Sequence, residues 1–194
     1  MAARPDRIDR DPASDLPDAA VDVVLTPMRR RHLRNVLRIE HQVYPRPWSL
    51  GLYMSELALT STRAYVVARV GTSVVGYAGV MLVGDDGHIT TIAVQPDWHR
   101  RQIATRMLAC LVRTSVAKGV LQLTLEVRMS NLGAQAMYSG FGFAPAGVRK
   151  RYYIDNGEDA MVMWAHDVST PAHEQRIAAI EAGIRGVTTF EGFS

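Results

Sequence analysis

Residues 92–108, Ile-Ala-Val-Gln-Pro-Asp-Trp-His-Arg-Arg-Gln-Ile-Ala-Thr-Arg-Met-Leu, set a basic loop between an apolar strand end and a helix start. Thr90 to Val94 is short, apolar and β-branched, which suits a buried strand, and Pro96-Asp97 ends it. From Ile103 the apolar residues Met107, Leu108, Leu111, Val112 and Val116 recur at helical spacing. The loop from His99 to Ala104 therefore lies at a helix N-terminus. There the first backbone N–H groups lack intrahelical partners and the dipole is positive. The chemistry on offer is anion binding, above all of phosphate, with Arg100, Arg101 and Arg106 adding charge. The competing reading is an ordinary strand–loop–helix connection with exposed arginines.

Five other positions carry groups able to do chemistry. Val120 to Val127 alternates strictly, with Leu121, Leu123, Leu125 and Val127 on one face and Gln122, Thr124 and Glu126 on the other. Glu126, near the strand end, either looks into a cleft or meets solvent or Arg128. Ser130-Asn131 opens a helix that runs through Gly140, and Asn131 and Tyr138 share a face two turns apart. On spacing alone Asn131 is an N-cap and Tyr138 a packed aromatic. Glu40 sits one turn after Val36 on the apolar side of an earlier helix marked by Leu33, Val36, Leu37 and Val43. A carboxylate there receives a cationic amine or is a helix-end charge. Trp48, in the break Tyr44-Pro45-Arg46-Pro47-Trp48-Ser49, is a core plug or a pocket wall.

The elements that hold these positions follow from the pattern around them. Residues 1–20 form a polar tail, 21–166 the folded unit and 167–194 a partly helical extension. Val21 to Leu25 reads as a strand, with Thr26-Pro27 as the cap and first residue of the next helix. Ser49 caps a second helix, Leu50 to about Leu59. Ala64–Val70 and Val74–Val83 read as strands joined at Gly71-Thr72-Ser73, and Asp85-Asp86-Gly87 as the next turn. Strands are also expected from Phe143 to about Val148 and from Ala160 to Ala165, with a helix over Pro171–Gly186. A 47% apolar composition supports a sizeable core, and no apolar run is long enough to span a membrane. A single cysteine, Cys110, fits a reducing cytoplasm, and no Cys/His spacing suggests a metal. A net charge of +3 favours acidic ligands without implying nucleic-acid binding.

Three matches resemble one family. Ile92-Ala93-Val94-Gln95-Pro96 followed by His99-Arg100-Arg101-Gln102-Ile103-Ala104 resembles the acetyl-CoA loop of the GCN5-related N-acetyltransferases, usually (Gln/Arg)-x-x-Gly-x-(Gly/Ala). Leu125-Glu126-Val127-Arg128 with Ser130-Asn131 and Met137 to Phe143 resembles the RimI branch, as do Pro47-Trp48-Ser49 and Arg151-Tyr152-Tyr153 with Glu158-Asp159-Ala160. The resemblance covers about Val21 to His166. It implies an α/β (α+β) fold, a mixed twisted sheet of about seven strands with helices on both faces and a splayed centre. It implies that Ile92, Ala93 and Val94 pair with the pantetheine arm of acetyl-CoA. The loop His99, Arg100, Arg101, Gln102, Ile103, Ala104 and Thr105 would hold the diphosphate, and Asn131 would touch the cofactor. Glu126 would be general base and Tyr138 general acid, with no metal. The acceptor implied is a protein N-terminus, the N-terminal alanine of a small-subunit ribosomal protein, met by Trp48, Tyr152 and Glu40. Rival readings are an acetyltransferase of a small amine or lysine and a non-catalytic CoA-binding partner. Gln102 stands where the family prefers glycine, and His99 where it prefers Gln or Arg. A side chain at a left-handed backbone position costs roughly 1–2 kcal/mol.

Overall fold

A computed structural model describes residues 20–193; the polar tail expected over residues 1–20 lies almost wholly outside the described residues. The strands are β1 (Val23–Pro27), β2 (Arg63–Val70), β3 (Ser73–Val83), β4 (Asp86–Val94), β5 (Gln122–Arg128), β6 (Ala144–Tyr153), β7 (Glu158–Ala165) and β8 (Thr188–Phe190). The helices are α1 (Leu33–Val43), α2 (Leu50–Ala58), α3 (Ile103–Ala117), α4 (Leu132–Gly140) and α5 (Pro171–Ala182). The strands form one sheet in the order β6-β7-β5-β4-β3-β2-β1-β8, parallel at β4–β5 and β1–β8 and antiparallel elsewhere. The eighth strand exceeds the seven expected, because the extension after residue 166 returns to pair with β1.

Each face of the sheet has its own core. Val36, Ile39, Tyr53, Tyr65, Tyr77 and Ala93 pack beneath α1 and α2. On the other side Ile103, Met107 and Leu111 of α3 join Tyr138, Phe141 and Ile177 from α4, its end and α5. Leu123, Leu125 and Val127 are buried on that side, as their alternation requires.

Two local expectations are corrected. Thr26-Pro27 does not start a helix: both residues stay in β1, opposite Val67 and Val66. The helical path begins three residues later, where His32 Nδ1 accepts the Arg29 N–H at 3.1 Å. A proline at a strand end satisfies the same φ restriction as one at a helix start, so the dipeptide did not discriminate. Asp86-Gly87 is also not a turn but the start of β4, which opens opposite β3 at Val83 and carries His88 in the ladder.

The strand pair that matters is β4–β5. It is joined at only three positions, Asp86 to Gln122, Gly87 to Leu123 and His88 to Thr124. Beyond them β4 slips register at Thr90 and the two strands diverge. Gln95 N–H donates to Val75 O at 2.8 Å. Antiparallel pairs alternate between bonded and non-bonded. Ala93 and Tyr77 are therefore the next bonded pair, and the backbone groups of Ile92 and Val94 point away from β3, into the gap.

Candidate active site

The gap opens into a cleft of about 260 Å³ lined by residues from both halves of the sheet and from the α1–α2 connection. Glu126 and Tyr138 both line it, together with Asn131, Tyr152, Trp48 and Glu40. Glu126 faces away from the apolar side of β5 and its side chain is 7% exposed. Its Oε1 lies 2.9 Å from Arg149 Nε and its Oε2 lies 3.1 Å from His88 Nε2, two ion-pair contacts from other strands. The alternative partner, Arg128, is committed elsewhere. It pairs with Asp155 and Glu158 and lies 3.9 Å from the Tyr153 ring centroid, pinning the β6–β7 turn to the end of β5.

Tyr138 is buried on α4, against Phe143 at 5.9 Å between ring centroids. Burial, with smaller contributions from Tyr44 and Tyr153, pushes its phenol well above the ordinary value, so it is protonated at neutral pH and able to donate. Asn131 is the N-cap of α4, its Oδ1 accepting from Ala134 N–H at 3.1 Å, and it borders the cleft as well.

Glu40 is 3% exposed, and both its oxygens are used. Oε1 accepts from the Trp48 N–H and Oε2 from Tyr53 OH, each at 3.0 Å. Burial raises its carboxyl above the usual range. Its structural work is to tie the end of α1 to the start of the next helix, which sets Trp48 in the cleft wall. Trp48 packs against Tyr53 at 5.3 Å, so it is both plug and wall. Tyr152 and Tyr153 sit on β6, which runs five residues past Val148, where the strand was expected to end. Burial raises both phenols, and the Tyr153 value reaches about 12.

Past the C-terminal end of β4, Gln102 occupies the left-handed region at φ 55° and caps α3 with no side-chain bond to its first turn. Arg100 is also left-handed, at φ 62°. The first-turn N–H groups of Ile103, Ala104 and Thr105 thus have no side-chain cap competing for them, and alternating backbone hand builds the concave N–H array that accepts phosphate. The loop fits a diphosphate on that ground. Its arginines, however, are not all turned toward an anion. Arg101 is buried with its guanidinium 4.9 Å from the Trp98 ring centroid. Arg106, 1% exposed, points into the protein, donating to Val21 O, Arg185 O, Val187 O and Thr188 Oγ1. Arg100 is the exposed one of the three. Gln102 does not plug the turn: its Oε1 accepts from Arg185 N–H at 2.9 Å and its Nε2 donates to Gly183 O at 3.3 Å. His99 Nε2 donates to Val94 O at 2.9 Å, so this residue braces the loop to the strand edge.

Tyr44, His88 and Arg149 were missed. Tyr44 OH donates to Ile92 O at 3.2 Å and so caps the other outward carbonyl of β4. The signal for His88 was available: it is opposite Thr124 in the parallel ladder, and Glu126 is the next residue on the same face. Reading Asp85-Asp86-Gly87 as a turn cut it off from the strand.

Comparison with known proteins bears on the family and the fold. The model of the acetyltransferase (GNAT) family matches residues 33–143. A Bacillus subtilis protein named putative ribosomal protein bS18-alanine N-acetyltransferase is 36% identical over 137 residues, 71% of this chain and 91% of that one. The N-alpha-acetyltransferase RimI of Mycobacterium tuberculosis is 34% identical over 147 residues, covering 73% of this chain and 90% of its own. The crystal structure of the ribosomal-protein-S18-alanine N-acetyltransferase from Escherichia coli superposes with a TM-score of 0.69 at 28% identity, over 75% of this chain and 94% of that one.

Proposed function

The chain belongs to the acetyltransferase (GNAT) family, and from that premise we propose that it moves the acetyl group of acetyl-CoA to the N-terminal α-amine of a protein, the acceptor being the N-terminal alanine of a small-subunit ribosomal protein. The observation that carries this reading is that a carboxylate and a phenol, Glu126 and Tyr138, open on one cleft beside the unpaired edge of β4. Residues 21–166 are the catalytic unit in this reading, and 167–194 an addition to its sheet. The diphosphate is held by the N–H groups at 103–105 and by Arg100. The outward N–H groups of Ile92 and Val94 receive the pantetheine arm, while Ala93 keeps its backbone on β3 and its side chain in the core. When bound, acetyl-CoA supplies the activated acyl group.

The residues suit the transfer. An α-amine has a pKa of about 8 and is mostly protonated at neutral pH, so it must lose a proton before it attacks. Glu126 serves the proton-accepting side of the cleft. Tyr138 donates to the sulfur as the C–S bond breaks. Each such group typically contributes about 10²–10⁴-fold. Trp48 and Tyr152 line the wall that meets the acceptor, with Glu40 behind them.

The test is mass spectrometry of N-terminal peptides incubated with enzyme and acetyl-CoA. An Ala-starting peptide is expected to gain one acetyl group and its N-terminally blocked form none. Equal turnover of the two rules out the α-amine. Binding of acetyl-CoA with no turnover of any amine rules out the enzyme.

A further inference from the structure

The two oxygens of Glu126 are both engaged, by Arg149 Nε and by His88 Nε2. A carboxylate oxygen beside a guanidinium offers a neighbouring N–H only an acceptor. At 3.1 Å from that oxygen a lone pair on His88 Nε2 would face the carboxylate's own, so the contact favours the hydrogen on Nε2 and the lone pair on Nδ1. Among the described residues Nδ1 makes no hydrogen bond, and His88 borders the cleft with Tyr138 and Tyr152. A carboxylate flanked on both oxygens by nitrogen atoms of Arg149 and His88 leaves an approaching ammonium less room than the open Nδ1 edge of the ring does. An imidazole suits the task because a neutral ring offers one unengaged lone pair as proton acceptor while its other nitrogen is held in place.

We propose that His88 is the general base of the acetyl transfer, taking a proton from the attacking amine at Nδ1, with Glu126 as the residue that fixes the ring. This rests on the acetyltransferase reading. The ammonium gives one proton to His88, the amine forms the C–N bond at the thioester carbon, and the C–S bond breaks with a proton passing from Tyr138 to sulfur. The second proton lost by the nitrogen restores Tyr138, and His88 returns its own to solvent. One proton is released per turnover, as the overall reaction requires. The charged and titratable groups around His88 are Glu126 and Arg128 from β5, Arg149, Tyr152 and Tyr153 from β6, Tyr138 from α4, and Glu40, Tyr44 and Arg46 from the α1–α2 side. Arg149, on the exposed strand β6, pairs with the far side of Glu126 and is 5.6 Å from the Tyr152 ring centroid.

Two measurements decide. In ¹⁵N-histidine-labelled protein without substrate, NMR is expected to show His88 as the Nε2–H tautomer, and Glu126→Gln is expected to remove that preference. An Nδ1–H ring in the unmodified enzyme overturns the proposal, whatever the acceptor. For the rate, the acceptor is whichever amine is acetylated fastest among an Ala-starting peptide, a blocked peptide containing lysine, and a polyamine. Failure of the α-amine reading then shows as a different fastest amine and leaves the His88 comparison intact. His88→Gln is expected to lower kcat by about 100-fold at pH 7, to recover rate as pH rises past about 8, and to leave acetyl-CoA affinity within about two-fold. Added imidazole should restore part of the rate of His88→Ala. A His88→Gln enzyme that keeps most of the wild-type kcat, with the same pH profile, returns the role to Glu126.

Discussion

Gln102 should be held in its left-handed conformation by the C-terminal extension, and the balance is open to calculation. At φ 55° a residue with a side chain costs roughly 1–2 kcal/mol relative to glycine. Its carboxamide makes two hydrogen bonds to the segment after α5, to Arg185 N–H and Gly183 O. Each contributes about 0.5–1.5 kcal/mol, so together they offset the strain. Gln102→Gly removes both terms, and its stability should lie within about 1 kcal/mol of wild type. Gln102→Ala keeps the strain and loses both bonds, and should be destabilised by about 1–3 kcal/mol. Urea unfolding gives the order. Hydrogen exchange at Arg185 should accelerate in both variants, because both release the segment. The first turn of α3 loses its pre-set geometry in each, so acetyl-CoA Kd, measured by calorimetry, should rise about 3–10-fold. An alanine variant as stable as wild type, or a glycine variant less stable than the alanine one, refutes the reasoning.

Arg106→Met should cost about 3 kcal/mol or more in urea unfolding, because four oxygens on two segments lose a charged donor in a buried setting; a loss under about 1 kcal/mol would mean water replaces it. Gly186→Ala should detach β8: the residue is at φ 78° and a Cβ would lie 2.5 Å from Val21 O, so amide exchange at Thr188 and Phe190 should approach that of an open chain. Tyr138→Phe keeps the ring contact with Phe143 and removes the proton donor, so kcat should fall about 10²-fold or more with acetyl-CoA affinity nearly unchanged. Burial first, then neighbouring arginines, lowers the pKa of His32; burial, and less strongly Arg176, lowers that of His173. Both rings bind fewer protons folded than unfolded, so their contribution is whole above the ordinary value of about 6.5 and is lost as pH falls through the lowered folded values. Each adds a slope of up to about 1.4 kcal/mol per pH unit in that window. Urea midpoints at pH 7, 6 and 5 should show the decline, and His173→Asn should flatten it.

The elements carrying the site were readable because their signals are local. The alternation of Leu123, Leu125 and Val127 fixes which way Glu126 faces, and that inference needs no tertiary information. Asn131 and Tyr138 are placed by helix periodicity, and Ser49 caps α2 as its type suggests, accepting from Leu52 N–H at 3.2 Å. What composition and period do not hold is the partner of a polar side chain across a ladder or across the chain. Glu126 had one cation two residues away in sequence and took Arg149 and His88, on other strands, instead, since Arg128 points to the β6–β7 turn. The arginines of the loop were counted as charge because a sequence gives their number and not their direction; Arg106 lies one helical turn past Gln102, on the side that faces the sheet's far edge.

Gln102 shows the same division at a single position. As a departure from glycine it was visible, and the strain it implies followed from chirality alone. Its compensation was not visible, because the partners are backbone atoms 81 and 83 residues away, in a segment whose own periodicity is weak. A backbone carbonyl and N–H leave no trace in residue type, so no pattern search along the chain would have paired them with a glutamine. The inference must run the other way. A side chain retained at a left-handed position demands a compensating contact, and here the extension after residue 166 supplies it. The extension and the departure from the family's loop are therefore one structural change, and removing either should expose the cost of the other.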